Sequence, residues 1–220
     1  EEAFRLCDVT DDHANAIGAT NTLWLEGNRL FGSNTDSYGF STNLDDQVPG
    51  WDAADTALIL GAGGASRAII HAIQQRKIPR IFLANRTRSR AERLAAHFGP
   101  GVIPADMQEV PSLLGESGLI VNTTSLGMTG HEPLDVGLDN APRECVVSDL
   151  VYTPLETPFL AQAHKLGLRT SDGLGMLLHQ AVPGFARWFG IEPKVDQALR
   201  NHVLAVLSRR NNPRDEGEAG

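Results

Sequence analysis

From residue 56 onward, short continuous apolar runs alternate with stretches in which apolar residues recur every three or four positions. That is the pattern of βαβ units around a parallel sheet covered on both faces. The runs Thr56–Leu60, Ile81–Asn85, Leu119–Asn122 and Val146–Val151 predict strands, with weaker ones at Val102–Ile103 and Leu168–Ser171. Between the first two, Ala65, Ala68, Ile69, Ala72 and Ile73 line one face of a helix over Ala65–Gln75. In the next helix Ala91, Leu94, Ala95 and Phe98 form the buried side, Ser89-Arg-Ala-Glu92 reads as a capping box, and Gly99 supplies the stop. Thr157-Pro158 opens a further helix that Gly167 closes. The expected fold is α/β, a doubly wound parallel sheet of Rossmann type.

The two ends of the chain carry a different pattern. Residues 1–44 predict a short helix before Gly18, then a hairpin of Thr22–Leu25 and Arg29–Phe31 around Glu26-Gly27-Asn28. Leu174–Phe189 and Val195–Leu207 read as two helices, and Pro183 should kink or interrupt the first. The polar stretch 210–220 is expected to fray as a flexible tail.

Charge narrows the partners: 19 basic against 27 acidic side chains leave a net charge of −8, which argues against nucleic acid. No apolar run approaches the ~20 residues needed to span a bilayer, so no membrane partner is expected. Cys7 and Cys145 lie far apart outside any C-x-x-C pair, which fits a reduced, cytoplasmic setting, and Cys145 reads as a small buried side chain. The seven histidines show no metal-ligand spacing, so no metal is expected; His71, His97 and His202 read as ordinary helix residues, and His179 has no evident partner. The oligomeric state is not legible, a homodimer included.

Directly after the first strand of the alternating series comes Gly61-Ala62-Gly63-Gly64-Ala65-Ser66, opening a helix. In a dinucleotide fold such a turn brings backbone against a pyrophosphate at a helix N-terminus. Here Ser66 stands where a third glycine is usual. The end of the second strand then selects the nucleotide. A ribose 2′-hydroxyl asks for an acidic acceptor, whereas a 2′-phosphate asks for donors and positive charge. The sequence offers Asn85-Arg86-Thr87-Arg88-Ser89-Arg90 and no acid, which predicts NADP. Three arginines in five residues at a helix start oppose the helix dipole, so they make better sense as an anion site than as a solvated face.

With these segments in place the sequence resembles the shikimate dehydrogenase family. The matching stretches are GATNTL at 18–23, GSNTDSYGF at 32–40, GAGGAS at 61–66, NRTRSR at 85–90, VNTTSLGM at 121–128, SDLVYTPLETP at 148–158 and DGLGMLLHQA at 172–181, in the family's order. The resemblance implies an NADP-dependent oxidoreductase of the shikimate pathway that interconverts 3-dehydroshikimate and shikimate. It implies that Asn21, Asp36 and Gln180 hydrogen-bond the substrate, with Tyr152 nearby and Asp36 catalytic. On the cofactor side it implies that Gly61 to Ser66 hold the pyrophosphate and that Asn85, Arg86, Thr87 and Arg90 hold the adenosine 2′-phosphate. Thr123, Leu150, Gly173 and Met176 would border the nicotinamide, Leu150 standing where the family often has methionine. The domains implied are a partial substrate-binding domain at 1–42, an NADP-binding Rossmann domain at 43–173, and helices at 174–209 returning to the substrate side.

The main departure is an absence. The family pairs the aspartate matching Asp36 with a catalytic lysine that would lie just ahead of Glu1, and its substrate-binding serine pair would lie further upstream. The chain, which opens on Glu1 rather than Met, therefore reads as a fragment lacking roughly a quarter of a typical subunit. Two other readings stand beside the main one: a quinate/shikimate dehydrogenase using NAD, which the missing acid opposes, and a catalytically silent NADP-binding module.

Overall fold

A computed structural model describes residues 1–211. The tail expected at 210–220 lies outside them, apart from the helical backbone of 210 and 211. The first part comprises α1 (Glu2–Leu6), β1 (Val9–Thr10), α2 (Asp12–Ile17), β2 (Thr22–Glu26) and β3 (Arg29–Ser33). The expected hairpin is β2 and β3, antiparallel around Gly27 at φ 60°, and β1 adds parallel to β3. Asp11 caps α2 by accepting from Ala14 N (2.8 Å), and Gly18 ends it in the left-handed conformation (φ 73°, ψ 26°). Helix α3 (Asp36–Gln47) then leads to the second sheet.

That sheet is built from β4 (Thr56–Leu60), α4 (Gly64–Gln75), β5 (Arg80–Ala84), α5 (Arg88–Phe98), β6 (Val102–Ala105), α6 (Val110–Leu113), β7 (Leu119–Asn122), β8 (Val146–Asp149), α7 (Pro158–Lys165) and β9 (Arg169–Ser171). The order is β6-β5-β4-β7-β8-β9 with every pair parallel. This is the doubly wound order, whose reversal between β4 and β7 leaves a crevice at the strands' carboxyl ends. The period of two sorts β4 between two cores: Ala57 and Ile59 pack with Ile69, Ile73, Leu83 and Val121, while Leu58 and Leu60 pack with Ile120, Val147, Phe159 and Leu160.

Helices α8 (Gly173–Phe189) and α9 (Gln197–Asn211) complete the described chain, α8 lying along α3. Pro183 sits inside an unbroken α8, contrary to the expected interruption. The helix loses one backbone bond there but is anchored on both sides, by its packing on α3 and by Trp188 Nε1 donating to Leu23 O (3.0 Å). The second terminal helix starts at Gln197 rather than Val195, after Asp196 accepts from Leu199 N (2.8 Å). No helix among the described residues is long and apolar enough to cross a membrane.

Two further expectations are corrected. The capping box at Ser89–Glu92 does not form: the chain enters α5 two residues earlier, with Thr87 at the cap, and Glu92 pairs with Arg88 instead (3.1 Å). Strand β8 stops at Asp149 rather than Val151, because the Asp149 carboxylate takes the Val151 N–H (3.0 Å) into a turn.

The outgoing and returning connections between the sheets meet at one polar knot. Asn43 on α3 donates to Ser171 Oγ (3.0 Å) and to Asp172 O (2.8 Å), and accepts from Gln47 Nε2 (2.5 Å). Asp172 caps α8 through Leu174 N (3.0 Å) and pairs with Arg200 of α9. The approach is so close that a Cβ on Gly175 would overlap Asn43 Oδ1 outright.

Candidate functional site

The glycine turn follows β4 as its sequence requires. Gly61 has φ +106°, and a Cβ there would meet Thr124 Cγ2 at 2.7 Å and Thr123 Oγ1 at 2.9 Å, so only glycine fits. Gly63 and Gly64 are the opposite case: both are exposed, and a Cβ on either would meet nothing within 4 Å. Helix α4 starts at this open corner with no side-chain cap, so its first N–H groups are left for a ligand. Ser66 is fully buried and its hydroxyl donates to Gly63 O (2.6 Å), which fixes the turn and leaves only its backbone to offer.

Asn85 joins this turn to the next. Its Oδ1 accepts from Ala62 N (3.1 Å) and its Nδ2 donates to Thr87 O (2.9 Å). Arg86, Thr87 and Arg90 are exposed, and among the described residues neither arginine forms a salt bridge. Arg88 differs: it lies within 2.9 to 3.1 Å of Asp106, Glu109 and Glu92. Two arginines, not three, are therefore free for an anion. The open glycine corner and the two unpaired guanidiniums fit a dinucleotide that carries a 2′-phosphate.

At the neighbouring edge, Thr123 Oγ1 donates to Leu60 O (2.9 Å), and Leu150 N donates to Asn122 O (3.0 Å). Gly173 lies so close that a Cβ would collide with Leu150 O. Met176 is partly buried against the core, one turn further along α8. Tyr152 is 36% exposed just beyond the end of β8.

The polar cluster expected around Asp36 assembles from three segments. Asn21, entering β2, donates from Nδ2 to Asp36 Oδ1 (2.7 Å) and reaches Gln180 Oε1 at 3.5 Å. Asn21 is itself held in place, its Oδ1 accepting from Thr35 N (3.0 Å) and Thr22 Oγ1 (3.1 Å). Asn34 accepts from Asp36 N (3.1 Å), the turn expected from Asn34-Thr-Asp36. Burial pushes the Asp36 carboxyl above its ordinary value of 3.8, and the Asn21 hydrogen bond partly offsets this. Gly39, one turn along α3, lets Gln180 approach: a Cβ there would lie 2.7 Å from Gln180 Cβ.

Three features were not foreseen. Asp149, fully buried, accepts from Asn122 Nδ2 (2.9 Å), Val151 N (3.0 Å) and Thr157 Oγ1 (2.6 Å), and so ties the turns after β7 and β8 together. Its only sequence signal is an acid inside the apolar run VVSDLV. His71 is not an ordinary helix position but pairs with His13 across α2 and α4 (3.0 Å). His179 has a partner in Asp46 (3.0 Å). Cys145 is buried as expected, and its thiol is pushed up to about 12 by desolvation. Among the described residues no group of three or more metal-ligating side chains forms.

A Rossmann sheet with a phosphate-binding corner, joined to a smaller α/β unit that carries a polar cluster, defines a nicotinamide-dinucleotide-dependent oxidoreductase. The models of the shikimate / quinate 5-dehydrogenase family and of the shikimate 5′-dehydrogenase C-terminal domain match residues 46–129 and 173–200. The shikimate dehydrogenase (NADP(+)) of Brucella abortus (strain S19) is 56% identical over 212 residues, covering 95% of this chain and 73% of the relative. Among solved structures, quinate dehydrogenase from Corynebacterium glutamicum in complex with NAD superposes with a TM-score of 0.86 at 30% identity, covering 93% of this chain and 74% of that one. Shikimate 5-dehydrogenase from Thermus thermophilus, in complex with NADP(H) and shikimate, superposes with a TM-score of 0.77 at 34% identity, covering 96% and 75%. The chain belongs to the shikimate dehydrogenase family.

Proposed function

We propose that this protein interconverts 3-dehydroshikimate and shikimate with NADP(H), and that its residues divide the work as follows. The bound cofactor supplies or accepts the hydride. The glycine corner at 61–66 holds the pyrophosphate on the N-terminus of α4, while Asn85, Arg86, Thr87 and Arg90 surround the 2′-phosphate. Thr123, Leu150, Gly173 and Met176 border the nicotinamide. Asn21, Asp36 and Gln180 receive the substrate's oxygens, with Tyr152 at the mouth of the cleft, and Asp36 accepts a substrate hydroxyl. On this reading residues 1–42 and 174–209 form the substrate side and 43–173 the cofactor side. Cys7 and Cys145, both free, fit a cytoplasmic setting.

The observation that carries the reading is the shared use of α8. Gly173 opens α8, Met176 follows one turn on and Gln180 sits at its middle, so the residues assigned to the cofactor lie about 10 Å and about 6 Å along one rigid element from the residue assigned to the substrate. A hydride acceptor and donor gripped along one helix are held at fixed separation, which is the orientation term in catalysis.

The chemistry at Asp36 follows from its surroundings. A half-buried carboxylate held by one amide donor has acceptor capacity left for a substrate hydroxyl. The test is to assay the full-length protein with shikimate and with quinate, each against NADP and NAD. Shikimate with NADP should give the highest kcat/KM; a preference for NAD would overturn the assignment of Arg86 and Arg90, and a preference for quinate that of the substrate.

A further inference from the structure

Arg88 stands between two arginines that the reading above assigns to a phosphate, yet it faces elsewhere. Its Nη1 lies 2.9 Å from Asp106 Oδ2 and 3.1 Å from Glu109 Oε2, and its Nε lies 3.1 Å from Glu92 Oε1. The carboxylates cannot simply swing away. Asp106 and Glu109 form a reciprocal capping box at the exit of β6, Glu109 Oε2 also accepting from Asp106 N (2.6 Å), and Glu92 is fixed four residues along α5. One guanidinium thus bonds all three acids and removes one of their three negative charges, beside the turn that carries Arg86 and Arg90.

We propose that Arg88 is a positioning residue for cofactor discrimination: it occupies the carboxylates of Asp106, Glu109 and Glu92 and offsets one of their three charges, so that Arg86 and Arg90 remain unpaired and the rim of their pocket is less repulsive to a dianion. This rests on the reading that Arg86 and Arg90 hold the 2′-phosphate. Without Arg88 the three carboxylates lose their one counter-charge and their donor beside that turn. They repel a phosphate monoester directly, and they compete with it for the neighbouring guanidiniums. NADH, which has no charge at that position, should be nearly indifferent. The cluster is partly solvated, so the effect is moderate and shrinks with salt.

The experiment measures Kd for NADPH and NADH by calorimetry at low and at physiological salt, with melting temperatures recorded for every variant. Arg88→Gln should weaken NADPH about three- to tenfold at low salt and leave NADH within about twofold. Adding Asp106→Asn and Glu109→Gln, amides that preserve the capping box while removing two charges, should return most of the lost NADPH affinity. Arg88→Lys should keep discrimination even where its melting temperature falls, because it keeps the positive charge. An equal loss for both nucleotides, or a NADPH-selective loss that the two amides do not recover, would show Arg88 to be a structural tie only and overturn the proposal. Arg86→Ala is the control for the underlying reading: if it weakens NADPH selectively while Arg88→Gln does not, the inference alone fails, and if it leaves NADPH unchanged, the 2′-phosphate assignment fails and the inference with it.

Discussion

Gly39→Ala adds one methyl group where α3 crosses α8, and the structure sets its cost. The new Cβ would fall 2.7 Å from Gln180 Cβ, 2.8 Å from Gln180 N and 2.8 Å from Met176 O. Comfortable carbon contacts begin near ~3.5 Å. The two helices must therefore separate by roughly 1 Å, since the neighbours are backbone and Cβ atoms rather than flexible ends. Overpacking of this kind costs about 1–3 kcal/mol, and alanine's better helix propensity returns about 0.5–1 kcal/mol. The expected net loss is about 1–2 kcal/mol, or a fall in Tm of roughly 2–8 °C for a chain of this size. The separation also moves Gln180 away from Asn21. Their contact, at 3.5 Å, is already at the limit of a hydrogen bond, so KM for shikimate in the full-length protein should rise more than the Kd for NADPH. Gly64→Ala is the contrasting substitution, with nothing within 4 Å of its Cβ; it should keep the Tm and weaken NADPH. Differential scanning calorimetry and nucleotide titration separate the two. If Gly39→Ala melts with the wild type, or if Gly64→Ala binds NADPH normally, the helix contact or the open corner has been misjudged.

Asp36→Asn should abolish most turnover of the full-length protein and leave NADPH binding intact. Because burial raises the Asp36 pKa, its favourable contribution to stability is present below the ordinary value of 3.8 and is lost as pH rises through the raised one. The variant should therefore melt above the wild type at neutral pH and converge with it in acid; a lower melting temperature at neutral pH would contradict this sign. Arg86→Ala should weaken NADPH far more than NADH in direct titration, and an equal loss would deny it the 2′-phosphate. Thr157→Val removes the cap on Leu160 N (3.2 Å) and a donor to the buried Asp149 (2.6 Å). It should cost about 2–4 kcal/mol in denaturant unfolding, and a loss below about 1 kcal/mol would mean that water replaces the hydroxyl.

The parallel sheet was legible because each buried strand is a short apolar run and each helix repeats on its own period. Thr56–Leu60 and Leu119–Asn122 coincide with β4 and β7. The hairpin and the glycine corner were legible from turn chemistry, which is local. Contacts between distant segments were not. Arg88 finds Asp106 and Glu109 only after β6 folds back beside β5, so the arginine run pointed to Arg86 and Arg90 but gave no partner for Arg88. Likewise Ser89 and Glu92 have the spacing of a capping box, but a stronger ion pair claims Glu92 and the helix begins earlier. Gly39 and Gly175 carry no periodic signal, yet they set how closely α3 and α8 approach. Residues Asn21, Asp36 and Gln180 were singled out through family resemblance, since nothing local distinguishes an Asn, an Asp and a Gln spread over three segments.

Asn43, Ser171, Asp172 and Arg200 fasten both crossovers at a single point. Two strands of chain clamped together there give α8 one fixed seat at its first residues, from which the position of every later residue on that helix is set. Loosening it, for instance by Arg200→Met, would touch no residue assigned to a ligand and should still lower kcat of the full-length protein, because α8 would lose the tie at its cap.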